Sequence, residues 1–255
     1  MSDLNKMIKD IKTNNTLGMK LTMWLAKNDE IRPKTPEGVS LINNWIQQEP
    51  ISRAGHFHAS SSGQCLRRQM FAYMGVEQET EPSASLRAIF HDGHFRHLRW
   101  QIMLLNAEII DVVEKRFYHQ EYLISGSVDG MNEKEGWIFE LKGANPQSFS
   151  NVQRNGVMPA HLRQLHAYFL LTGLDKAIIV YENKANQTFE EFEVNKNPDT
   201  EDDVVYEYET LTNHVLEGKW PQMLHLCKTK EGVDYKNCPY AEICPSAEKT
   251  YEIQR

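Results

Sequence analysis

Three side chains that could act together in a reaction lie within SVDGMNEKEGWIFELKG, residues 127–143. Asp129 follows one apolar stretch, while Glu140 and Lys142 belong to the next. Because side chains alternate along a strand, Glu140 and Lys142 share one face and the bulkiest apolar residues share the other. Ile138 also lies on the charged face, so this face does not have the pattern of a simply solvated one.

The chemistry of this set is that of phosphodiester hydrolysis. Mg²⁺ and Mn²⁺ prefer oxygen ligands, which carboxylates on adjacent strands can supply. A lysine beside them can orient or deprotonate the attacking water and offset the charge that develops on phosphorus. The alternative is a surface hairpin in which Glu140 and Lys142 form a weak ion pair, and the spacing alone leaves both interpretations open.

Two further positions could contribute to such a site. Gln164 and Tyr168 are four residues apart, so a helix would place them on one face, where they could contact a phosphate backbone or the water network. His97, in the segment IFHDGHFRHLRW, could add a nitrogen ligand for the cation. His91 and His94 compete with it for this role, and a structural role is the alternative for each.

Composition and charge limit the class of protein. The 255 residues are 40% hydrophobic and 25% charged, which suits one globular core with at most a smaller appendage. The net charge is −7, yet residues 190–209 hold nine acidic residues against one lysine, which leaves the remainder at +1. A local basic groove is therefore compatible with the acidic total. The acidic run itself is interpreted as a solvated loop and helix start.

The N-terminal segment MSDLNKMIKDIK lacks the apolar run of a signal peptide, and the longest apolar stretch, 167–174, is too short to span a membrane. We therefore expect a cytoplasmic protein with no membrane partner. Since a cytosol keeps thiols reduced, two disulfides are disfavoured as the explanation of the four cysteines.

A four-thiolate metal site is the better interpretation of the cysteines, which are Cys65, Cys227, Cys238 and Cys244. Thiolate sets suit tetrahedral zinc or an iron-sulfur cluster. The chain has no Cys-x-x-Cys pair of the kind that zinc favours, and prolines follow the last two cysteines, which favours the cluster. Such a site would join the C-terminal segment to the helix that follows Cys65.

Periodicity and turn residues predict an α/β core with a mixed sheet. Helices are expected over 3–28, 36–48, from the serines at 60–62 to 73, and over 83–106, 160–171 and 202–216. Strands are expected over 109–117, 122–129, 137–142, 177–181 and 188–194, and the residues after 221 are expected to be irregular.

The order of these motifs resembles the PD-(D/E)XK nucleases of the RecB type that carry an iron-sulfur cluster. The match runs over about residues 60–246 in the order Cys65, Gly93-x-x-x-His97, Asp129, Glu140-Leu141-Lys142, Gln164-x-x-x-Tyr168, Cys227, Cys238 and Cys244. Within that group the chain is most similar to the CRISPR-associated exonuclease family and the AddB nuclease domain. The resemblance implies a restriction-endonuclease-like core, with a mixed central sheet flanked by helices. It divides the chain into N-terminal helices (1–59), the nuclease core (60–220) and a C-terminal iron-sulfur segment (221–255).

The same resemblance implies roles for residues. Asp129, Glu140 and His97, with the backbone carbonyl of Leu141, would bind one or two Mg²⁺ or Mn²⁺ ions, and Lys142 would serve the water nucleophile. Gln164 and Tyr168 would contact DNA near the scissile phosphate. The four cysteines would ligate a 4Fe-4S cluster, with zinc as the alternative. The gap from Cys227 to Cys238 is longer than the two-residue gap common in relatives.

The implied function is a metal-dependent DNA exonuclease of recombination, repair or DNA-end processing, acting on DNA that is single-stranded or has free ends. The arginines near the motifs, Arg67, Arg68, Arg96 and Arg99, are candidates for binding the strand, with solvated helix arginines as the alternative. Phe57, Tyr73 and Trp100 could stack on bases, although core packing is the better interpretation of each. The rival functions are a catalytically weak DNA-binding or assembly protein and a restriction-type endonuclease.

Overall fold

The computed structural model describes residues 16–28, 32–47, 54–79, 82–230 and 235–253. Its helices are α1 (Leu17–Leu25), α2 (Pro36–Gln47), α3 (Leu66–Tyr73), α4 (Ala84–Asn106), α5 (Pro146–Asn155), α6 (Pro159–Thr172), α7 (Pro198–Glu217), α8 (His225–Lys228) and α9 (Ala247–Thr250). Its strands are β1 (Phe57–His58), β2 (Val112–His119), β3 (Ile124–Asn132), β4 (Trp137–Ala144), β5 (Lys176–Asn183) and β6 (Phe189–Asn195).

The six strands form one mixed sheet. β2, β3 and β4 pair antiparallel in succession, β5 lies parallel to β4, and β6 returns antiparallel to β5. β5 can lie parallel to β4 because α5 and α6, which connect the two strands, carry the chain back across the sheet. β1 pairs in parallel with the first residues of β3. The predicted fold class is confirmed: the chain is α/β, with a mixed central sheet flanked by helices.

Helices cover both faces of the sheet. On one face, α1 and α4 pack against β4 and β5 through an apolar cluster that includes Leu21, Trp100 and Leu104. On the other face, α6 and α7 contribute to the larger cluster, with Phe169 and Tyr208 among its fully buried members. α1 thus belongs to the same core as the sheet. The part of the predicted helix 3–28 before residue 16 lies outside the described residues.

β4 is buried on both faces, which explains its mixture of residue types. Trp137, Phe139 and Leu141 face the cluster around α4, while Ile138 packs in the cluster on the opposite face. Glu140 shares the face of Ile138 and is only 2% exposed. The surface-hairpin alternative therefore does not describe this strand.

One helix, α5, has no counterpart among the predicted elements. Asn145 caps it by accepting a hydrogen bond from the Ser148 amide, and Pro146 occupies its first turn. The Asn-Pro pair was a readable start signal. α7 likewise begins earlier than predicted, at Pro198, because the side chain of Asn197 caps it.

The acidic run at 190–209 is not solvated throughout. Glu207, on α7, is 7% exposed and accepts hydrogen bonds from Arg163, Gln69 and the Gly63 amide. These hydrogen bonds compensate for the desolvation of the buried carboxylate and connect the segment before α3 to α6 and α7. The interpretation of this run as entirely solvated is thus wrong at Glu207.

The described part of the chain after 221 contains the short helices α8 and α9 and packs against α3. Tyr240, Cys244 and Ala247 pack on Phe71. Arg67 donates hydrogen bonds to the backbone carbonyls of Cys244 and Pro221. None of the helices in the described ranges is long and apolar enough to cross a membrane.

Candidate active site

The site lies where β3 and β4 separate. Their backbone ladder extends from the Asn132–Trp137 pair to the Gly130–Phe139 pair. The next residue of β3, Asp129, instead uses its carboxylate Oδ2 to accept a hydrogen bond from the Leu141 amide at 2.8 Å. A side chain thus replaces the backbone pairing at this point. The separation opens the sheet between the two strands that carry the candidate catalytic carboxylates.

Glu140 and Lys142 form a compact network with α6. Lys142 Nζ lies 2.7 Å from Glu140 Oε1 and donates to Gln164 Oε1 at 2.8 Å. The amide nitrogen of Gln164 donates to the same Glu140 oxygen at 2.9 Å and to the Tyr168 hydroxyl at 3.0 Å. Tyr168 donates in turn to the Ser127 carbonyl of β3. The helix therefore holds both strands at the point where they separate.

His97 approaches from the opposite side of the sheet on α4. Its Nδ1 lies 3.0 Å from Asp129 Oδ1, and the ring is one third exposed. Burial opposes protonation, but the adjacent Asp129 charge outweighs it and raises the pKa of His97 above its ordinary value. The structure thus brings His97, Asp129, Glu140, Lys142 and the Gln164–Tyr168 pair together.

Burial dominates the electrostatics of Glu140. It raises the pKa of this carboxyl to about 7, with a further contribution from the Asp129 charge. Burial acts in the opposite direction on Lys142, yet Glu140 and Asp129 outweigh it and raise the pKa of the ammonium. Lys142 is therefore a cation, which supports a role as a donor rather than as a base.

The donor set fits a hard divalent cation. Glu140 Oε2 is buried and has no hydrogen-bond partner, so an acceptor oxygen is left uncompensated in the site. Within the described ranges, no three His, Cys, Asp or Glu side chains form a preformed group that could hold a metal ion. Mg²⁺ is compatible with this, because it is often bound by one or two carboxylates, with waters and substrate phosphates completing its shell. Asp129 and Glu140 are the residues that would hold it.

Glu114 is a site residue that the sequence reasoning missed. It lies in β2 between Val113 and Lys115, whose partners Gly130 and Val128 flank Asp129, and it adopts a left-handed backbone conformation, with φ of 50°. Gln101 of α4 donates to both Glu114 Oε1 at 2.6 Å and the Asp129 carbonyl at 2.8 Å. Desolvation of the carboxylate, followed by the Asp129 charge, raises the pKa of Glu114. Its place near Asp129 in a hairpin was the available signal.

The predicted DNA-binding arginines have different surroundings. Arg96 is 7% exposed and pairs with the buried Glu182, which also accepts from Arg99 and from the Trp100 indole. Arg67 is 3% exposed and is engaged with the C-terminal segment, while Arg68 is half-buried. Arg67 and Arg96 therefore hold the fold together, and DNA binding by any of the four arginines stays a prediction. The same is true of DNA contacts by the buried Gln164 and Tyr168.

The aromatic residues considered for base stacking are buried. Phe57 and Tyr73 stack on each other in the core, and Trp100 packs between the sheet and α4. Core packing, the preferred interpretation of all three, is what the structure shows.

The structure brings three of the cysteines near one another. Cys244 is buried, whereas Cys65, Cys227 and Cys238 are partly exposed. Burial raises the pKa of Cys244, the nearby Arg67 lowers it, and charges on Cys65 and Cys238 raise it further, so these three thiols lie close enough to interact. Cys227 lies on α8. The iron-sulfur cluster stays a prediction.

A groove of about 1620 Å³ leads to the site. Its catalytic part is lined by His97, Asp129 and Lys142, together with Glu114. α2 and the first half of α4 form another part of the wall and present large apolar side chains, namely Trp45, Ile89 and Phe90. The groove thus exposes candidate catalytic residues to a substrate.

No protein-family model matches the chain, and no curated protein matches it significantly. Among solved structures, it is similar to LHK-Exo, an alkaline exonuclease from Laribacter hongkongensis, with a TM-score of 0.49 and 14% identity over 64% of this chain and 88% of that chain. The protein SSO0001 gives a TM-score of 0.49 and 17% identity over 82% and 94% of the two chains. A phage-related exonuclease from Haemophilus somnus gives a TM-score of 0.38 and 12% identity over 64% of this chain and 95% of that chain. Because each of these scores lies below 0.5, the function proposed below rests on the geometry of the site and not on these likenesses.

Proposed function

We propose that the protein is a metal-dependent DNA nuclease, and specifically an exonuclease. The observation that carries the proposal is the set of Asp129, Glu140 and Lys142 on two separating strands, with an uncompensated buried oxygen on Glu140. A buried acceptor oxygen without a hydrogen-bond partner costs free energy. A divalent cation between the carboxylates would use it.

Lys142 is positioned to act on the reacting phosphate or water. An ammonium has three donors, and two of them are used on Glu140 and Gln164. The third is available to orient the attacking water or to stabilise negative charge on a phosphate oxygen. Lys142 lines the groove, which makes this donor reachable by a substrate.

Asp129 and His97 complete the set. Asp129 is oriented by the Leu141 amide on one oxygen and by His97 on the other, so its carboxylate has a defined direction. When bound, Mg²⁺ or Mn²⁺ would supply activation of water and stabilisation of the charge on phosphorus. Asp129 and Glu140 would hold the ion, and His97 is close enough to Asp129 to add a nitrogen ligand or to steady the carboxylate.

The test uses end-labelled linear and circular DNA, each single- and double-stranded, with Mn²⁺ or with EDTA. We expect Mn²⁺-dependent loss of label from linear DNA that falls by at least about a hundredfold in Lys142→Ala. Lys219→Ala, which changes a lysine that is 72% exposed, is the matched control. Equal, negligible cleavage by wild type and Lys142→Ala, with DNA still bound, would favour the DNA-binding rival. Cleavage of circular DNA would favour the endonuclease.

For the four cysteines, we propose that they ligate a 4Fe-4S cluster with a structural role, with a zinc ion as the alternative. The docking of Cys238 and Cys244 near Cys65 supports it. Protein purified without oxygen should be brown, contain iron, and lose its visible absorbance in Cys244→Ser. Colourless protein that contains zinc would overturn the cluster and leave the nuclease proposal intact.

A further inference from the structure

The groove has two chemically different parts. One contains the candidate catalytic residues, and the other contains Trp45 of α2 with Ile89 and Phe90 of α4. Pockets for one small molecule have volumes of roughly 300–1,000 Å³. At about 1620 Å³, this groove exceeds that range, which suits an extended, chain-like ligand.

The apolar side chains of this second part are open to solvent. Trp45 is 40% exposed, Phe90 48% and Ile89 51%, although large apolar residues are normally well buried. The Trp45 ring lies 5.1 Å from that of Phe95, which is itself 56% exposed. Exposed aromatic and aliphatic groups clustered in one groove are typical of a binding surface.

Helix geometry connects this surface to the catalytic residues. Phe90 and His97 are seven residues apart, so they share one face of α4 and are separated by about 10 Å along its axis. That is roughly the length of three stacked nucleotides at about 3.4 Å each. A strand whose phosphate lies beside His97 and Lys142 would therefore place bases a few nucleotides away against Phe90 and Trp45.

The chemistry favours unpaired bases as the occupant. Bases in a single strand expose their ring faces, which stack on aromatic side chains irrespective of sequence. A duplex hides these faces and presents phosphates, for which Ile89 and Phe90 offer no donor and Trp45 offers only its indole N–H. Arg116 and Lys142 line the same groove and can contact the backbone, beside the carboxylates of Glu37, Asp111, Glu114 and Asp129.

Resting on the nuclease function above, we infer that Trp45, Ile89 and Phe90 form a base-stacking subsite for a single DNA strand entering the active site. The subsite selects unpaired ends over blunt duplex. It also assigns a role to α2, which lies in the N-terminal region that the sequence motifs left without a function.

The experiment measures binding in EDTA, so that no cleavage occurs. Fluorescence anisotropy gives the Kd of a labelled oligothymidylate and of an abasic strand of the same length, for wild type, Trp45→Ala and Phe90→Ala. Tyr206→Ala on α7, at a side chain that is 72% exposed and not among those lining the groove, is the control. Circular dichroism melts show whether each variant is folded. If Trp45→Ala unfolds α2 because the Trp45–Phe95 contact is lost, Phe90→Ala provides the test.

We expect the Kd for oligothymidylate to rise about fivefold or more in Trp45→Ala and Phe90→Ala, and that for the abasic strand to change less than twofold. Tyr206→Ala should bind both strands as wild type does. An unchanged Kd in both groove variants overturns the subsite. Equal weakening for both strands also overturns it, since the apolar groups would then not contact bases.

Binding and cleavage separate the two proposals. Lys142-dependent cleavage combined with unchanged binding by the groove variants would reject the stacking subsite alone. Base-dependent binding that the groove variants lose, without any Mn²⁺-dependent cleavage, would reject the nuclease alone.

Discussion

At the scale of single residues, Gln164 connects the candidate catalytic groups. One side-chain amide accepts from Lys142 and donates to both Glu140 and Tyr168, so it sets the position of the ammonium relative to the carboxylate. Since it is only 6% exposed, water replaces none of these bonds easily. The site therefore depends on a neutral residue as much as on its charges.

Replacing Gln164 by Ala should reduce both activity and stability. Glu140 and Lys142 would lose a partner in the interior, at a cost of about 1–3 kcal/mol in the free energy of unfolding. Displacement of Lys142 should lower the cleavage rate on the order of a hundredfold. Tyr168→Phe removes only the hydroxyl and should cost about 1 kcal/mol with a smaller loss of rate. Urea unfolding measures the stability of the variants, and single-turnover cleavage measures their rates. A larger loss of rate in Tyr168→Phe than in Gln164→Ala would contradict the expectation.

His161 should make stability depend on pH. Burial, followed by the Lys142 charge, lowers the pKa of His161 to about 4. The unfolded chain, with a pKa near 6.5, binds a proton that the folded chain does not, so this group destabilises the fold as pH falls from about 6.5 to 4. At pH 8 both states are neutral and the effect is absent. His161→Gln should thus lose less stability than wild type between pH 8 and pH 5 in urea unfolding. An NMR titration of His161 near pH 6.5 would contradict the expectation.

At the scale of elements, the position of His97 depends on how α4 is attached to the sheet. Glu182, at the end of β5, is 1% exposed and accepts hydrogen bonds from Arg96, Arg99 and Trp100 of that helix. These bonds are made within one turn of His97. Rotation or sliding of α4 would break all of them, which keeps His97 directed at Asp129.

Glu182→Gln should therefore destabilise the protein strongly. Removing one member of a buried ion pair typically costs about 3–5 kcal/mol, and here it leaves the buried Arg96 paired with the exposed Asp92. Asp92→Asn is the matched control, because Asp92 also pairs with Arg96 but is 53% exposed, and exposed pairs contribute about 1 kcal/mol or less. Urea unfolding compares the two. Equal, small effects would show that Glu182 does not anchor the helix.

At the scale of the whole molecule, the C-terminal segment is joined to α3 by few but buried contacts. Arg67 is central, since it contacts the carbonyls of Pro221 and Cys244, the carboxylate of Glu248 and the face of Trp220. The same contacts bring Cys244 near Cys65. Docking of the C-terminal segment should therefore favour binding of the proposed cluster, and the bound cluster should favour docking.

Arg67→Ala should release this segment without unfolding the sheet. The carbonyls and Trp220 lose their partner, so the residues after 221 should become sensitive to limited proteolysis while the core fragment persists. Arg68→Ala, at the neighbouring half-buried position, is the control. Mass spectrometry of the fragments identifies the cleaved region. Resistance equal to that of wild type would contradict the central role of Arg67.

Much of this arrangement was readable from the chain. Alternation along β4 predicted a strand with Glu140 and Lys142 on one face, and the four-residue spacing placed Gln164 and Tyr168 together on a helix. Local patterns sufficed because strand and helix periods depend only on neighbouring residues. The start of α5 was also encoded locally, by Asn145 and Pro146, but was not recognised.

Other features depended on contacts between residues far apart in sequence, which no local pattern contains. Burial turned Arg67, Arg96 and Glu207 from apparently solvated charges into members of internal networks. Glu114 became a site residue only when β2 paired with β3, and the groove existed only once α2 packed beside α4. Local sequence patterns specify which chemical groups are available and which elements carry them. Which charges are neutralised inside and which face the groove depends on the packed chain, because burial and pairing arise only when distant residues come into contact.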